Sequence, residues 1–219
     1  MRNLFNYDSP LMTGLAKFYR LILADALWIV FSIPVFTAGA SLTAFYYTIQ
    51  TNLKYNRGYV WTCFWDSFKS NLRLALRLWL IFLGVGAVLL TDLGMLRYLR
   101  EAGHSTFGLE VLLGVLGAIA LTYAVWTFAY VARFENTARN TLRNAAMLAV
   151  LNPGRSLVIL ALAAAGAMVV YVLPISVLLV PGACLWFASV LIEGVFRANM
   201  TEEQRRQEDE RNRQTQGGE

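Results

Sequence analysis

The sequence predicts an all-α fold: a polytopic membrane bundle with six spans, or five in the alternative. Of the 219 residues, 57% are hydrophobic and only 15% are charged, whereas soluble domains carry about 25% charged residues. The apolar residues also fall in runs of about 20, the length that crosses a hydrocarbon core. Residues 1–198 are therefore predicted to form one membrane domain, and residues 199–219 a polar cytoplasmic tail.

Four apolar runs predict the clearest spans, at about 75–98, 107–133, 154–173 and 176–197. The apolar stretch 15–52 is less simple, because Pro34 and Gly39 interrupt it. One helix of that length would extend about 57 Å, beyond a hydrocarbon core of about 30 Å, and Pro with Gly signals a turn. Two spans at about 13–34 and 38–55 are preferred, and one long kinked span gives the five-span alternative.

The distribution of basic residues favours six spans. That arrangement puts 17 Lys and Arg residues on one side and only Arg97 and Arg100 on the other. Five spans move Arg2, Lys17 and Arg20 across, which leaves 14 against five. Since cytoplasmic loops carry the excess of basic residues, both termini are predicted to be cytoplasmic. Loop placement also explains the net charge of +5 without nucleic acid as a partner.

Two cytoplasmic segments are predicted to be amphipathic elbow helices, at about 60–74 and 136–151. In the first segment the aromatic residues recur at helical spacing, with basic residues on the opposite face: Trp61, Phe64, Trp65 and Phe68 against Lys69 and Arg73. Such a helix is expected to lie in the plane of the membrane interface. Each elbow precedes two spans, so the unit of one elbow and two spans could be an internal repeat.

Three acids lie within or near the predicted spans, where acids are costly and are candidates for function. Asp25 lies inside the first span, and is expected either to make an interhelical hydrogen bond or to line a transport path. Asp92 lies near the outer end of the third span, where Arg97 is expected to neutralise it. Glu193 lies near the inner end of the last span, one helical turn before Arg197.

The sequence shows no pattern of an enzyme. It contains no GxxxxGK[ST], HExxH or GxSxG motif. The two cysteines and the single histidine, His104, lack the spacing of a metal site. A non-catalytic protein without cofactor or metal is therefore expected.

Three stretches carry a resemblance to a known family. They are 39–47 (GASLTAFYY), 64–71 (FWDSFKSN) and 133–137 (RFENT), the last followed by LRNA at 142–145 and NP at 152–153. In this order and spacing they resemble the YesL family of bacterial membrane proteins. The resemblance implies a bacterial cytoplasmic-membrane protein. Because members are often encoded beside carbohydrate ABC importers, it also implies an accessory role in sugar uptake.

Two of these stretches lie on the predicted cytoplasmic elbows, the face at which ABC permeases meet their ATPases. The candidate residues for docking an importer permease or ATPase subunit are Lys69, Asn71, Arg73, Arg133, Glu135, Asn136 and Arg143. The alternative is that these residues only tie the elbows to the bundle. The expected function is a non-catalytic accessory subunit of a carbohydrate ABC importer, and the rival is a stand-alone transporter or channel with Asp25 on its path.

Overall fold

The computed structural model describes residues 10–54, 58–200, 202–203 and 205–206, and within these residues all regular structure is helical. The predicted all-α class is confirmed. Within the described residues the α-helices, α1 to α7, are Pro10–Ser32, Ala38–Thr48, Val60–Glu101, Phe107–Arg133, Ala138–Leu151, Pro153–Val172 and Val180–Ala198. A π-helix, Ile49–Lys54, continues α2, and short 3-10 helices precede α2 and α7, at Val35–Thr37 and Pro174–Leu178.

Four of the described helices, α3, α4, α6 and α7, are long and apolar enough to cross a membrane. Their outward side chains are largely aliphatic and exposed, which is the surface expected of helices in lipid. The count of six spans is not confirmed. Helix α1 carries Lys17, Arg20 and Asp25 within its apolar stretch. Helix α2 with its π-helix extends only from residue 38 to 54 and is mostly buried inside the protein.

The elbow predicted at 60–74 and the span predicted at 75–98 are not separate helices. Helix α3 runs unbroken through 42 residues, a length of about 63 Å. The physical reason is local, because no Gly or Pro occurs between residues 60 and 83 to end or kink the helix.

The aromatic face of this first segment was predicted to lie on the membrane interface, and this too needs correction. Phe64 and Phe68 are buried, and their rings lie 5.4 and 5.0 Å from the ring of Phe31 at the end of α1. Trp61 remains about half exposed. Most of this face is therefore protein core, because α1 covers it.

The second predicted elbow forms a separate helix, α5. It begins after Thr137, whose hydroxyl accepts the N–H of Asn140 at 3.5 Å, and it ends at Leu151. Pro153 then opens α6 as its first residue, a position that proline favours. In the described residues, a separate elbow helix before two further helices is therefore seen at α5 to α7 and not at α3. The internal repeat stays a hypothesis.

Two apolar clusters form the core, with α2 at the centre of the first. That cluster joins α1, α2, the beginning of α3 and the end of α4. The second joins α4, α5, α6 and α7 around Trp126 and Phe196. Gly39 permits the close approach of α2 to α3 and α4, because a Cβ there would lie 2.6 Å from Trp79 Cβ and 2.9 Å from Phe128.

Candidate functional site

Asp25 is a fully buried acid that joins α1 to the beginning of α7. Its Oδ1 accepts the backbone N–H of Gly182 at 2.9 Å. Gly182 lies in the first turn of α7, where N–H groups have no acceptor within their own helix. A carboxylate is also favoured by the helix dipole at that end. The interhelical hydrogen bond expected for Asp25 is therefore present, and its partner is a helix N-terminus.

Glu193 is a second buried acid, and it joins three helices. The hydroxyl of Tyr46 on α2 donates to Glu193 Oε1 at 3.2 Å. Arg133, at the end of α4, places Nη2 3.6 Å from Glu193 Oε2. The sequence suggested Arg197 as the partner because of its spacing of four. It did not suggest Arg133, whose approach to Glu193 depends on the tertiary fold.

Asp92 is exposed on the C-terminal part of α3, and makes no hydrogen bond or ion pair with any residue that the structure describes. The ion pair expected with Arg97 is not formed. Residues five apart lie on different faces of a helix, unlike residues three or four apart. Near the turn between α3 and α4 the ion pair is instead between Arg100 and Glu110, with Arg100 Nη1 3.1 Å from Glu110 Oε2.

The loop between α4 and α5, residues 134–137, separates two polar clefts. The α3-side cleft has a volume of about 500 Å³ and is lined by Asn71, Arg133, Glu135 and Asn136, together with Tyr47 and Asp66. The α7-side cleft, of about 420 Å³, is lined by Glu135 and Asn136 from the other side, together with Tyr130, Asn144 and Phe196. The fold thus brings four of the predicted docking residues to one place.

The other three predicted docking residues are exposed but line neither cleft. Lys69 and Arg73 lie on the outward side of α3, and the Lys69 Nζ stands 4.6 Å from the centre of the Trp65 ring. Arg143 lies on α5. These three side chains are therefore exposed cations outside both clefts.

The sequence reasoning missed Tyr130 and Asn144. The hydroxyl of Tyr130 accepts hydrogen bonds from the side-chain amides of Asn136, at 3.1 Å, and Asn144, at 2.9 Å. Tyr123 also donates to the carbonyl of Leu142 at 2.9 Å. Asn144 therefore ties α5 to α4, and Asn136 ties the loop between them to α4. Glu135 is exposed toward both clefts.

An apolar cleft of about 630 Å³ lies between α4, α6 and α7, with Gly166 and Cys184 among its lining residues. It contains no charged residue, and Asp25 does not line it. Among the described residues, no group of three or more His, Cys, Asp or Glu side chains could hold a metal ion.

The apolar helices and the clefts beside the α4–α5 loop define a class of protein: a helical membrane protein with a polar surface at one end of its bundle. Residues 21–93 match the model of a family described as "Protein of unknown function, DUF624". The YesL family is a DUF624 family. The resemblance to the YesL family is therefore confirmed, since two of the three stretches that carry it, 39–47 and 64–71, lie inside the matched segment. No curated protein and no solved structure matches the chain.

Proposed function

We propose that the protein is a non-catalytic membrane subunit that docks on a carbohydrate ABC importer through the face around the α4–α5 loop. The observation that carries this proposal is the pair of polar clefts on either side of Glu135. The link to sugar import rests on the resemblance to the YesL family. The proposed location is the bacterial cytoplasmic membrane, with both termini in the cytoplasm.

The chemistry of this face supports a protein partner. Glu135 is an exposed carboxylate that lines both clefts, and Lys69, Arg73 and Arg143 are exposed cations on α3 and α5, two of the helices that line them. Charged groups of both signs around a recess set the register and the association rate of a partner more than its affinity. Arg133 is held against Glu193 and less exposed, so it supports the recess rather than extending from it.

The test is copurification of the importer permease with tagged protein in mild detergent. Reversing the charge of the exposed cations on α3, with Lys69→Glu and Arg73→Glu together, is expected to lower recovery of the permease at least tenfold. The matched control is Arg97→Glu, an exposed cation at the far end of the same helix, which should leave recovery unchanged. If wild-type protein recovers no permease even after crosslinking, the proposal is wrong.

The membrane arrangement that we propose departs from six full spans at α1 and α2. The carbonyl of Val35, in the turn between them, accepts the indole N–H of Trp79 at 2.6 Å. Trp79 lies four residues from the predicted inner end of its span, at residue 75. Phe31, just before the turn, packs on the beginning of α3. These contacts support a re-entrant hairpin that enters and leaves on the cytoplasmic side.

Side chains satisfy the polar backbone of this turn, as a re-entrant segment requires. Thr37 donates its hydroxyl proton toward the carbonyls of Phe31 and Pro34, both at 2.8 Å. Ser41 donates to the carbonyl of Trp28 at 2.9 Å. The exposed side chains of Val35 and Phe36 are apolar, as contact with lipid would favour.

A stand-alone transporter or channel is the second candidate. Helix α7 starts after a 3-10 segment and directs its N-terminus at Asp25, as broken helices do in many transporters. Against it, Asp25 lines neither the two clefts beside the α4–α5 loop nor the apolar cleft between α4, α6 and α7. Solute flux in proteoliposomes tests this candidate. Unchanged flux in Asp25→Asn would show that Asp25 is not on the transport path. Absence of flux with the wild-type protein would exclude a transporter or channel.

A further inference from the structure

The C-terminal half of α3 is exposed over most of the surface that is turned away from α4, and we call one line of residues along it the α3 stripe. Its residues recur at alternating spacings of four and three: Ile81, Val85, Val88, Asp92 and Met95. This spacing is that of the seam between two coiled helices. The four apolar members are 50%, 44%, 61% and 56% exposed in chain order, so no described part of the chain covers the seam.

The partner of α3 within the chain lies on a different side. Phe82 packs against Tyr123 and Phe128 of α4, with ring centroids 5.4 and 5.8 Å apart. Leu96, further along the same side, is buried. A Cβ added at Gly84 or Gly94 would meet no atom within 4 Å. Helix α4 thus covers one side of α3 and leaves the rest of its surface open, the stripe included.

Asp92 makes the stripe more than an apolar surface. It lies about one and a half turns before Arg97, inside the predicted span, and has no partner among the described residues. A carboxylate within a span is costly unless it meets a charge or a donor. One polar residue in an apolar seam is also a device that selects the partner and the register of a helix pair.

We propose that the α3 stripe binds a transmembrane helix of another protein that places a Lys or Arg side chain opposite Asp92. Charge complementarity identifies the occupant. A twofold pair of identical stripes would bring two Asp92 carboxylates together, which repel. Lipid tails offer no hydrogen-bond donor. This surface lies at the end of α3 opposite Lys69 and Arg73, so it does not depend on docking at the α4–α5 loop.

The test uses the full-length protein in native membranes, with a photoreactive phenylalanine analogue in place of Val88. The control position is Leu90, which is 71% exposed but lies off the stripe. We expect a Val88 adduct whose crosslinked peptide is a transmembrane helix containing Lys or Arg, and an adduct at least fivefold weaker from Leu90. An adduct with a second copy, with lipid alone, or with a helix lacking a basic residue would overturn the proposal.

A charge exchange then tests Asp92 itself. Interhelical polar contacts in membranes are worth about 1–2 kcal/mol, so Asp92→Lys should reduce the Val88 adduct about fivefold to thirtyfold. The milder Asp92→Asn, which keeps the shape of the side chain, should reduce it less. Changing the basic residue of the captured helix to Asp should restore the adduct with Asp92→Lys. Failure of that restoration, in protein inserted at wild-type level, would contradict the proposed pairing.

Discussion

At the scale of single residues, Gly182 is where a small change should have a large effect. A Cβ at this position would overlap Asp25 Oδ2 and lie 2.7 Å from Leu21 Cδ1. Gly182→Ala should therefore push α1 from the start of α7 and weaken the hydrogen bond to Asp25. We expect a loss of about 1–3 kcal/mol in stability, the usual cost of overpacking, measured as a lower unfolding temperature in detergent.

The control for that substitution is Gly114→Ala, also inside a membrane helix. A Cβ at Gly114 meets no atom within 4 Å, and Ala has the higher helix propensity. Its unfolding temperature should equal or slightly exceed that of the wild type. If both variants lose stability equally, the contact between Asp25 and Gly182 does not limit packing.

The pair of Arg133 and Glu193 gives a second prediction at this scale. Removing one partner of a buried ion pair leaves an uncompensated charge and costs about 3–5 kcal/mol. Arg133→Met should therefore destabilise the protein strongly, because Glu193 is almost fully buried. Arg133→Met with Glu193→Gln should regain most of the loss, since the remaining amide is neutral and Tyr46 still donates to it. Equal unfolding temperatures for the single and double variants would contradict this account.

The sequence could identify these acids but not all their partners. A charged residue in an apolar run is visible without a structure, and Asp25 and Glu193 were found that way. Gly182 and Arg133 lie far from them in sequence, and no periodic pattern links the pairs. The partner expected for Asp92, Arg97, came from sequence proximity, which identifies only contacts within one helix.

At the scale of elements, the unbroken course of α3 is directly measurable. Spin labels at Thr62 and Tyr98, both exposed, should lie about 54 Å apart along one straight helix. An elbow bent at right angles near residue 75 would reduce that distance to about 40 Å. Pulsed electron paramagnetic resonance resolves the difference. Cys63→Ser and Cys184→Ser remove the native thiols.

The contrast between α3 and α5 shows what periodicity can predict. A repeat of 3.6 residues with aromatics on one face fits a helix on lipid and a helix packed on α1 equally well. The pattern at 60–74 therefore predicted the helix correctly but its environment wrongly. The boundary at Asn152–Pro153 was predictable, because proline removes a donor and cannot continue a helix.

At the scale of the whole molecule, the charge bias cannot distinguish six full spans from four spans with a re-entrant hairpin. The turn at residues 33–37 contains no Lys or Arg. Whether it lies outside the membrane or returns within it, 17 basic residues remain on one side and two on the other. The positive-inside rule counts charges in loops and does not respond to a loop without any. The contacts of Val35 and Phe31 favour the re-entrant hairpin that we propose.

Labelling of single cysteines with a membrane-impermeant maleimide decides the arrangement. Replacing His104, between α3 and α4, should give a cysteine that reacts from outside intact cells. A cysteine at Asn140, on α5, should react only after permeabilisation. For a re-entrant turn, Phe36→Cys should react in neither condition, because the hydrocarbon core excludes the reagent. Rapid reaction of Phe36→Cys from outside would instead establish that α1 and α2 cross the membrane as two full spans.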